Sequence, residues 1–300
     1  MTKKISLLLA IIMAFCSCIA LSSCGETPVE EENNNGGGED EKTSYVFDYH
    51  ISDDGTYYIV TGYGVNLSTV TTIPEEYEGK PVKEIKAEAF DRDALKLQIE
   101  EMTLAATIEK IGASAFYGCT NLRAINFKVG LKSIGHGAFT KCSALTEIKL
   151  PEGLEVIDDL AFSACVSLAK VTLPASVKSI GANVFSGTKF LNGSAPTHNG
   201  NVKYILNTEG KAWVLSGDYD IVDANLPDNA VGIASEAFAY CDTLTTLEIP
   251  AGVKYISADA FKGCTALTTI NYGGSPTEFG QIVIEGGNEV LNNVTINYAK

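Results

Sequence analysis

The sequence predicts a β-dominated solenoid with short helical or 3₁₀ turns, because one 23-residue pattern recurs along most of its 300 residues. An Ala-Phe or Val-Phe dipeptide marks each unit, and the phenylalanines are Phe90, Phe116, Phe139, Phe162, Phe185, Phe238 and Phe261. An isoleucine stands five residues before every one of them, and a leucine stands six residues after six of the seven. This register indicates about seven stacked units, each too small to bury a core alone.

Within a unit, the residue types predict one short strand and one tight turn. In one unit Ile148 and Leu150 alternate inward across a single polar residue, as residues of a strand do. Pro151 ends that strand because proline has no N–H to continue a ladder. The Ala-Phe-x-x-Cys segment has room only for a tight turn. We therefore expect each unit to add one parallel rung, with like residues in buried columns.

Two steps between phenylalanines depart from 23 residues. The step from Phe90 to Phe116 is 26 residues, so it contains three extra residues. The step from Phe185 to Phe238 is 53 residues, which is one repeat plus an insertion of 30. The register places this insertion at about 189–220.

The insertion contains two β-rich runs, residues 201–207 and 211–216, on either side of a turn. We expect a hairpin standing off the solenoid. Tyr204, Trp213 and Tyr219 lie in or near it, and their rings either pack against neighbouring rungs or contact a ligand.

The two ends of the solenoid are predicted to carry caps. Residues 43–81 alternate aromatic and polar side chains around an Asp54-Gly55 turn, which favours a β-hairpin N-terminal cap. Its aromatic rings either cover the end of the core or form a platform for a sugar. The repeat fails after residue 272, so residues 273–300 are expected to form the C-terminal cap, with 294–298 as its last strand.

The first residues are typical of a bacterial export signal. Lys3 and Lys4 precede an apolar run over residues 5–20 that is short for a membrane span, and small residues precede Cys24. The sequence Leu-Ser-Ser-Cys resembles the lipobox of bacterial lipoproteins. This resemblance implies that residues 1–23 are a cleaved signal peptide and that the Cys24 thiol carries a diacylglycerol. An ordinary signal peptide with an incidental cysteine is the alternative.

An acidic segment follows the predicted lipidation site. Residues 24–42 are rich in Glu, Asn and Gly and contain one aliphatic side chain, so burial cannot repay the entropy of ordering them. We expect a flexible tether. In similar lipoproteins of the Bacteroidetes, acidic residues soon after the lipidated cysteine often accompany display on the outer face of the outer membrane. The resemblance therefore implies a surface-exposed outer-membrane lipoprotein.

The whole chain is acidic, with 37 Asp and Glu against 22 Lys and Arg and a formal net charge of -15. It has no basic stretch of the kind that nucleic acid requires. A nucleic-acid partner is therefore not expected, and membrane contact is expected only through the lipid on Cys24.

The repeat itself resembles a known family. Residues 111–119 and 134–142 both read Ile-Gly-x-x-Ala-Phe-x-x-Cys, and a degenerate form of this motif covers about residues 82–272. The motif resembles the bacterial 23-residue branch of the leucine-rich repeat family, the BspA-like surface repeats. The resemblance implies a right-handed leucine-rich repeat solenoid of the α/β horseshoe class, used for binding. Several members are adhesins for host matrix proteins or other cells, and an enzyme is not implied.

The cysteines of the predicted solenoid share one repeat position, and they are Cys119, Cys142, Cys165, Cys241 and Cys264. An odd number cannot pair fully, and stacked identical positions point their Cβ atoms parallel, so we expect buried free thiols. A spacing of 23 gives a line of thiols, whereas a zinc site needs ligands that converge. His50, His136 and His198 belong to different parts of the chain, and His136 is expected at the surface. No metal or cofactor is predicted.

The polar residues that flank the central residue of each strand should face outward. These outward positions predict a partner-binding face formed by Glu147, Lys149, Lys170, Thr172, Thr246, Glu248, Thr269 and Asn271. In-register stacking should place Glu147 beside Lys170 as a cross-strand ion pair.

The predicted function is non-enzymatic binding or adhesion at the cell surface, with a host or bacterial surface protein as the partner. A glycan-binding accessory lipoprotein of a surface polysaccharide-uptake system is the first alternative, because aromatic residues of the insertion could stack on sugars. A glycan hydrolase is the second alternative. Against it, the sequence has no nucleophile elbow, no His-Glu-x-x-His and no carboxylate pair that differs from ordinary surface acids.

Overall fold

A computed structural model describes residues 47–64, 68–91, 98–194, 197–198 and 201–299. The predicted signal peptide, Cys24 and the tether of residues 24–42 lie outside the described residues. The described residues belong to one compact unit, Ser44–Lys300.

The unit consists mainly of short strands. In chain order they are β1 (Phe47–Ile51), β2 (Tyr58–Tyr63), β3 (Val70–Thr72), β4 (Glu76–Tyr77), β5 (Lys80–Ile85), β6 (Glu101–Thr103), β7 (Lys110–Ile111), β8 (Ala124–Asn126), β9 (Ser133–Ile134), β10 (Glu147–Lys149), β11 (Val156–Ile157), β12 (Lys170–Thr172), β13 (Ser179–Ile180), β14 (Thr197–His198), β15 (Val202–Leu206), β16 (Ala212–Gly217), β17 (Asp223–Asn225), β18 (Ala230–Ile233), β19 (Thr246–Ile249), β20 (Tyr255–Ile256), β21 (Thr269–Tyr272), β22 (Val283–Ile284) and β23 (Thr295–Tyr298). The longer helical segments of the described residues are a π-helical turn at Phe190–Ser194, the helix α1 at Pro276–Phe279 and a 3₁₀ segment at Glu289–Asn293. Among the described helices, none has the length and apolar character that a membrane crossing requires.

The strands stack in parallel into two walls, and this confirms the predicted leucine-rich repeat solenoid. We call the wall built from β2-β5-β7-β9-β11-β13 and from β16-β18-β20-β22 the isoleucine wall, because seven of these ten strands carry the isoleucine that precedes an Ala-Phe or Val-Phe dipeptide. The leucine wall contains β3-β6-β8, β10-β12 and β17-β19-β21-β23. A typical unit thus contributes two strands, where the sequence predicted one rung. The second strand was missed because a two-residue strand such as β9 is too short to show alternation.

A column of aromatic rings runs through the core between the two walls. The rings of Phe90, Phe116, Phe139 and Phe162 stack nearly parallel, with centroids 4.6 to 5.2 Å apart and interplanar angles of 3 to 8°. Offset stacking of this kind adds about 0.5–1.5 kcal/mol per pair to the free energy gained from burial. The recurring Ala-Phe dipeptide therefore marks the axis of the core.

A second column contains the five cysteines of the repeat, all of them buried. The predicted burial is confirmed. The thiols are also hydrogen-bond donors: Cys142 Sγ donates to the main-chain oxygen of Phe116 at 3.2 Å, and Cys165 Sγ donates to that of Phe139 at 3.0 Å. Each of these thiols thereby joins its unit to the preceding one.

Both predicted caps are present. At the N-terminal end β1 and β2 form an antiparallel hairpin, and the Tyr63 ring stacks on Phe90 at 5.4 Å, which covers the first ring of the column. At the C-terminal end β23 pairs in parallel with β21, so the predicted last strand is confirmed. The Phe279 ring packs edge-on against Tyr272 at 5.2 Å and closes that end of the core.

The insertion differs from its predicted placement. The hairpin itself is confirmed, since β15 and β16 are antiparallel. The expectation that it stands off the solenoid is wrong: β16 pairs in parallel with β18 and so takes a rung of the isoleucine wall. Ala212, Trp213 and Val214 are all buried, and burial of this apolar run holds the hairpin in the stack. Asn207 forms a parallel bridge to Leu173 at the other wall.

Candidate functional site

The predicted binding face lies on the leucine wall, and the insertion divides it into two sheets. Four of its residues lie on β10 and β12, and they are Glu147, Lys149, Lys170 and Thr172. The other four lie on β19 and β21, and they are Thr246, Glu248, Thr269 and Asn271. Strand β12 does not pair with β17, so each group is brought together only within its own sheet.

On the first sheet the charged residues are solvated. Glu147 is the register partner of Lys170, and the Lys170 ammonium lies 3.5 Å from the Glu147 carboxylate, which confirms the predicted pair. Their side chains are 59% and 78% exposed, so the pair contributes at most about 1 kcal/mol to stability. Lys149 and Thr172 form the neighbouring exposed pair. These four side chains are therefore available to a partner at little cost to the fold.

On the second sheet the outward side chains form a continuous row, which we call the polar ladder: Asn225, Glu248, Asn271 and Asn297. The Asn271 amide donates to the Glu248 carboxylate, and the Asn297 amide donates to Asn271 Oδ1 at 2.8 Å. The ladder borders a groove of about 420 Å³.

Sequence reasoning found two of the four ladder residues. Asn225 was missed although Leu226 and Pro227 keep the repeat register, so its position could have been assigned from the repeat. Asn297 lies in the C-terminal cap, where the repeat motif has faded and gives no signal. Thr246 and Thr269 face each other across β19 and β21 and are half-buried.

The aromatic residues of the insertion have different environments. Trp213 is 1% exposed and stacks on Tyr255 at 5.9 Å, so its ring cannot contact a ligand at the surface. Tyr204 is half-buried. Tyr219 is 78% exposed. Of the three residues singled out from the sequence, Tyr219 alone presents a largely free ring.

A cleft of about 450 Å³ lies where the insertion interrupts the ring column, and we call it the junction cleft. Its polar and aromatic lining includes Asn183, Phe185, Lys203, Asp218, Tyr219, Glu236 and Tyr240. The sequence singled out only Tyr219 among these. Tyr240 stands at a repeat position that holds glycine, lysine or alanine in other units, so its position carried no signal for a special role: Gly118, Lys141, Ala164, Gly187 and Gly263.

A third groove, of about 500 Å³, runs along the isoleucine wall. His50 and His136 both line it and both are exposed, as predicted for His136. Lys110 and Asp158 also line it, so it has no dominant sign of charge. The side chain of His198 lies outside the described residues.

The buried thiols and the acidic side chains are candidate nucleophiles and metal ligands. Burial raises the pKa of Cys264 to about 12, and burial together with the charges of Asp242 and Asp218 raises the pKa of Cys241 to about 11. These thiols are protonated at neutral pH, and a protonated thiol is a poor nucleophile. Across the part of the chain that the structure describes, no group of three or more His, Cys, Asp or Glu residues is placed to hold a metal ion.

Comparison with known proteins identifies the repeat. A family model described as the BspA type leucine rich repeat region matches residues 80–206 and 215–298, in 6 copies. No curated protein matches the chain.

Several solved structures are similar to the chain. A leucine rich repeat protein of T. pallidum is 24% identical, with 80% of this chain and 95% of that chain covered and a TM-score of 0.42. A leucine rich cell surface protein of Faecalibacterium prausnitzii is 21% identical, with 82% and 98% covered and a TM-score of 0.39. A leucine-rich repeat protein of Bacteroides ovatus is 19% identical, with 86% and 76% covered and a TM-score of 0.39.

Proposed function

We propose, since this chain belongs to the BspA-type leucine-rich repeat family, that it is a non-enzymatic binding protein of the cell surface whose leucine wall contacts a protein partner. The observation that carries this proposal is the array of outward polar side chains that stand in register on neighbouring strands of that wall. These side chains are solvated or hydrogen-bonded to other polar groups at the surface, so a partner can engage them without disturbing the core.

The flatness of a parallel sheet supports a protein as the partner. A stable protein interface removes about 800 Å² of surface from water on each partner. The two sheets of the leucine wall, with strands about 4.8 Å apart, each supply part of such a surface. Alternating donors and acceptors along it, such as the polar ladder, would fix the register of the partner.

The sequence supports display at the cell surface. The lipobox-like Leu-Ser-Ser-Cys at Cys24 and the acidic tether of residues 24–42 favour an exported lipoprotein of the outer membrane that is exposed outside the cell. The similar protein of Faecalibacterium prausnitzii is described as a cell surface protein. The non-enzymatic assignment is supported by the repeat family and by the protonated state of the buried thiols.

The test is a binding assay with the whole chain on arrays of host matrix proteins, bacterial surface proteins and glycans. For a captured protein, the double variant Lys149→Glu/Lys170→Glu should bind at least tenfold more weakly, because it reverses two exposed charges and sets a second carboxylate opposite that of Glu147. The double variant Lys86→Glu/Lys110→Glu is the matched control, since it reverses two exposed charges beside and on the isoleucine wall.

Equal affinity of both double variants for the captured protein would contradict a role for the leucine wall. Capture of glycans without any protein would favour a glycan-binding accessory lipoprotein and would overturn the proposed protein partner.

A further inference from the structure

We propose that the junction cleft is a binding site for a neutral oligosaccharide, whose sugar rings stack on Tyr219 and Tyr240 and whose hydroxyl groups pair with Lys203, Asp218 and Glu236. The site lies away from the leucine wall and does not rest on the function proposed for that wall.

The cleft exists because the insertion breaks the ring column. Phe185 stacks on Phe162 at 6.0 Å, but its other ring neighbour is Phe190, at 5.6 Å and edge-on. The column starts again at Phe238, which stacks on Phe261 at 5.5 Å. A cleft of about 450 Å³ lies beside this break and has Phe185 in its lining, and its volume is within the range of about 300–1,000 Å³ that is typical of small-molecule sites.

Two large rings at the cleft are exposed to solvent. Tyr219 is 78% exposed and Tyr240 is 61% exposed, although the core of this protein buries the phenylalanine of every repeat. Exposed rings beside a cleft give up no core packing when they contact a ligand. A tyrosine ring offers a flat apolar face to the C–H groups of a sugar and a hydroxyl to its oxygen atoms.

The Tyr240 ring is also held in place. Its backbone has φ of 61°, in the left-handed region, where a residue with a Cβ is disfavoured and where three other units use glycine. The ring lies over the next unit at Gly263, where an added Cβ would stand 2.7 Å from Tyr240 Cδ1. A glycine would suit this backbone better than a tyrosine does. Lys141 and Ala164 adopt the same left-handed backbone at this position, so the conformation belongs to the repeat. What distinguishes Tyr240 is an exposed ring beside the cleft.

The polar groups of the cleft match the hydroxyl groups of a sugar. Glu236 Oε2 accepts a hydrogen bond from Asn183 Nδ2 at 3.4 Å, which orients this carboxylate. In the described part of the chain, the Lys203 ammonium and the Asp218 carboxylate have no hydrogen-bond or ion-pair partner. A hydroxyl both donates and accepts, so one sugar can pair with carboxylates and an ammonium together.

Charge selects among possible ligands. The cleft has two carboxylates and one ammonium, in a chain of net charge -15, so an anionic ligand would be repelled. The floor is apolar, with Phe185 buried beneath the polar rim, as is common in small-molecule sites. A neutral saccharide can pair its hydroxyl groups with the polar side chains of the rim and can stack its rings on the exposed tyrosines.

The test begins with the whole chain on an array of neutral and sialylated oligosaccharides. The strongest neutral oligosaccharide is then titrated by calorimetry against the wild type, Tyr219→Ala, Tyr240→Gly and Tyr117→Ala. We expect Tyr219→Ala and Tyr240→Gly each to weaken binding at least tenfold. Tyr117 lies outside the cleft, beneath Lys141, so Tyr117→Ala is the matched control and should bind like the wild type.

The Tyr240→Gly variant separates binding from folding. Glycine tolerates the left-handed backbone, so the melting temperature should be equal to or above that of the wild type while binding is lost. Wild-type affinity in Tyr240→Gly, or binding of sialylated oligosaccharides alone, would overturn the proposal. Capture of a protein with no oligosaccharide would overturn it as well, and would leave the function proposed for the leucine wall in place.

Discussion

The Cys264 thiol donates a hydrogen bond to the main-chain oxygen of Phe238, 2.9 Å away in the preceding unit. The same contact joins Cys142 to Phe116. Each of these carbonyls already accepts the main-chain N–H of the cysteine in its own turn, Cys241 to Phe238 and Cys119 to Phe116, both at 3.1 Å. The thiol is therefore a second donor, and it links the turns of neighbouring units while it fills the core.

This contact predicts a pH dependence of stability. Burial raises the pKa of Cys264 from its ordinary value of 9.0 to about 12. The folded state therefore holds the proton more tightly than the unfolded state, so the stabilisation is complete below pH 9 and is lost as the pH rises toward 12. Urea unfolding at a series of pH values should show the free-energy difference between the wild type and Cys264→Ala shrinking above pH 9.

The control for this experiment is Phe261→Leu. It disturbs a neighbouring core position without removing a titratable group. The free energy of unfolding that it removes should therefore not change with pH as a thiol titrates. A difference between the wild type and Cys264→Ala that stays constant from pH 7 to pH 11 would show that the thiol pKa is not raised in the folded state.

The ring column predicts that removal of one ring causes a large loss of stability. Phe139 lies between Phe116, at 4.9 Å, and Phe162, at 5.2 Å. Phe139→Ala should leave a cavity inside a stack that cannot close, and should lower the free energy of unfolding by about 3–5 kcal/mol. Urea denaturation followed by circular dichroism measures this. Tyr219→Ala removes an exposed ring and should change stability by less than about 0.5 kcal/mol.

Close stacking of the units predicts that a side chain added at Gly181 lowers the stability of the protein. A Cβ added at Gly181 would stand 2.5 Å from the carbonyl carbon of Asp158 in the preceding unit, so the backbone would have to move. Gly181→Ala should therefore destabilise the protein by about 1–3 kcal/mol. Gly193→Ala is the matched control, because its Cβ would meet open space. Equal melting temperatures of the two variants would contradict close stacking at Gly181.

Much of this architecture could be predicted from the sequence because the repeat is strict. Ile157 and Ile180 pair in register on neighbouring strands, as their spacing of 23 residues requires. Burial of the cysteine column and the pairing of Glu147 with Lys170 follow from the same spacing. A periodic sequence fixes which residues are neighbours, because each unit contacts mainly the next one.

What could not be predicted depends on contacts between segments that do not repeat. The parallel pairing of β16 with β18 is a tertiary choice, and the local pattern of the insertion indicated only a hairpin. The junction cleft arises from that pairing, so Lys203 and Glu236 gave no signal as neighbours although they line one site. Tyr240 was visible in the sequence, yet its place beside Tyr219 in one cleft depends on the same pairing, which the sequence does not show.

The placement of the insertion can be tested through Trp213, the single tryptophan of the chain. Its ring is 1% exposed and lies against Tyr255. We expect blue-shifted emission, protection from acrylamide, and a fluorescence transition in urea that coincides with that of circular dichroism, because β16 is a strand of the isoleucine wall.

A Cβ at Gly232 would stand 2.5 Å from the Trp213 ring, so Gly232→Val should displace the ring, shift its emission to the red and increase quenching. Gly286→Ala, with open space around its Cβ, should leave the spectrum unchanged. A readily quenched tryptophan in the native wild type would mean that the hairpin stands off the solenoid after all.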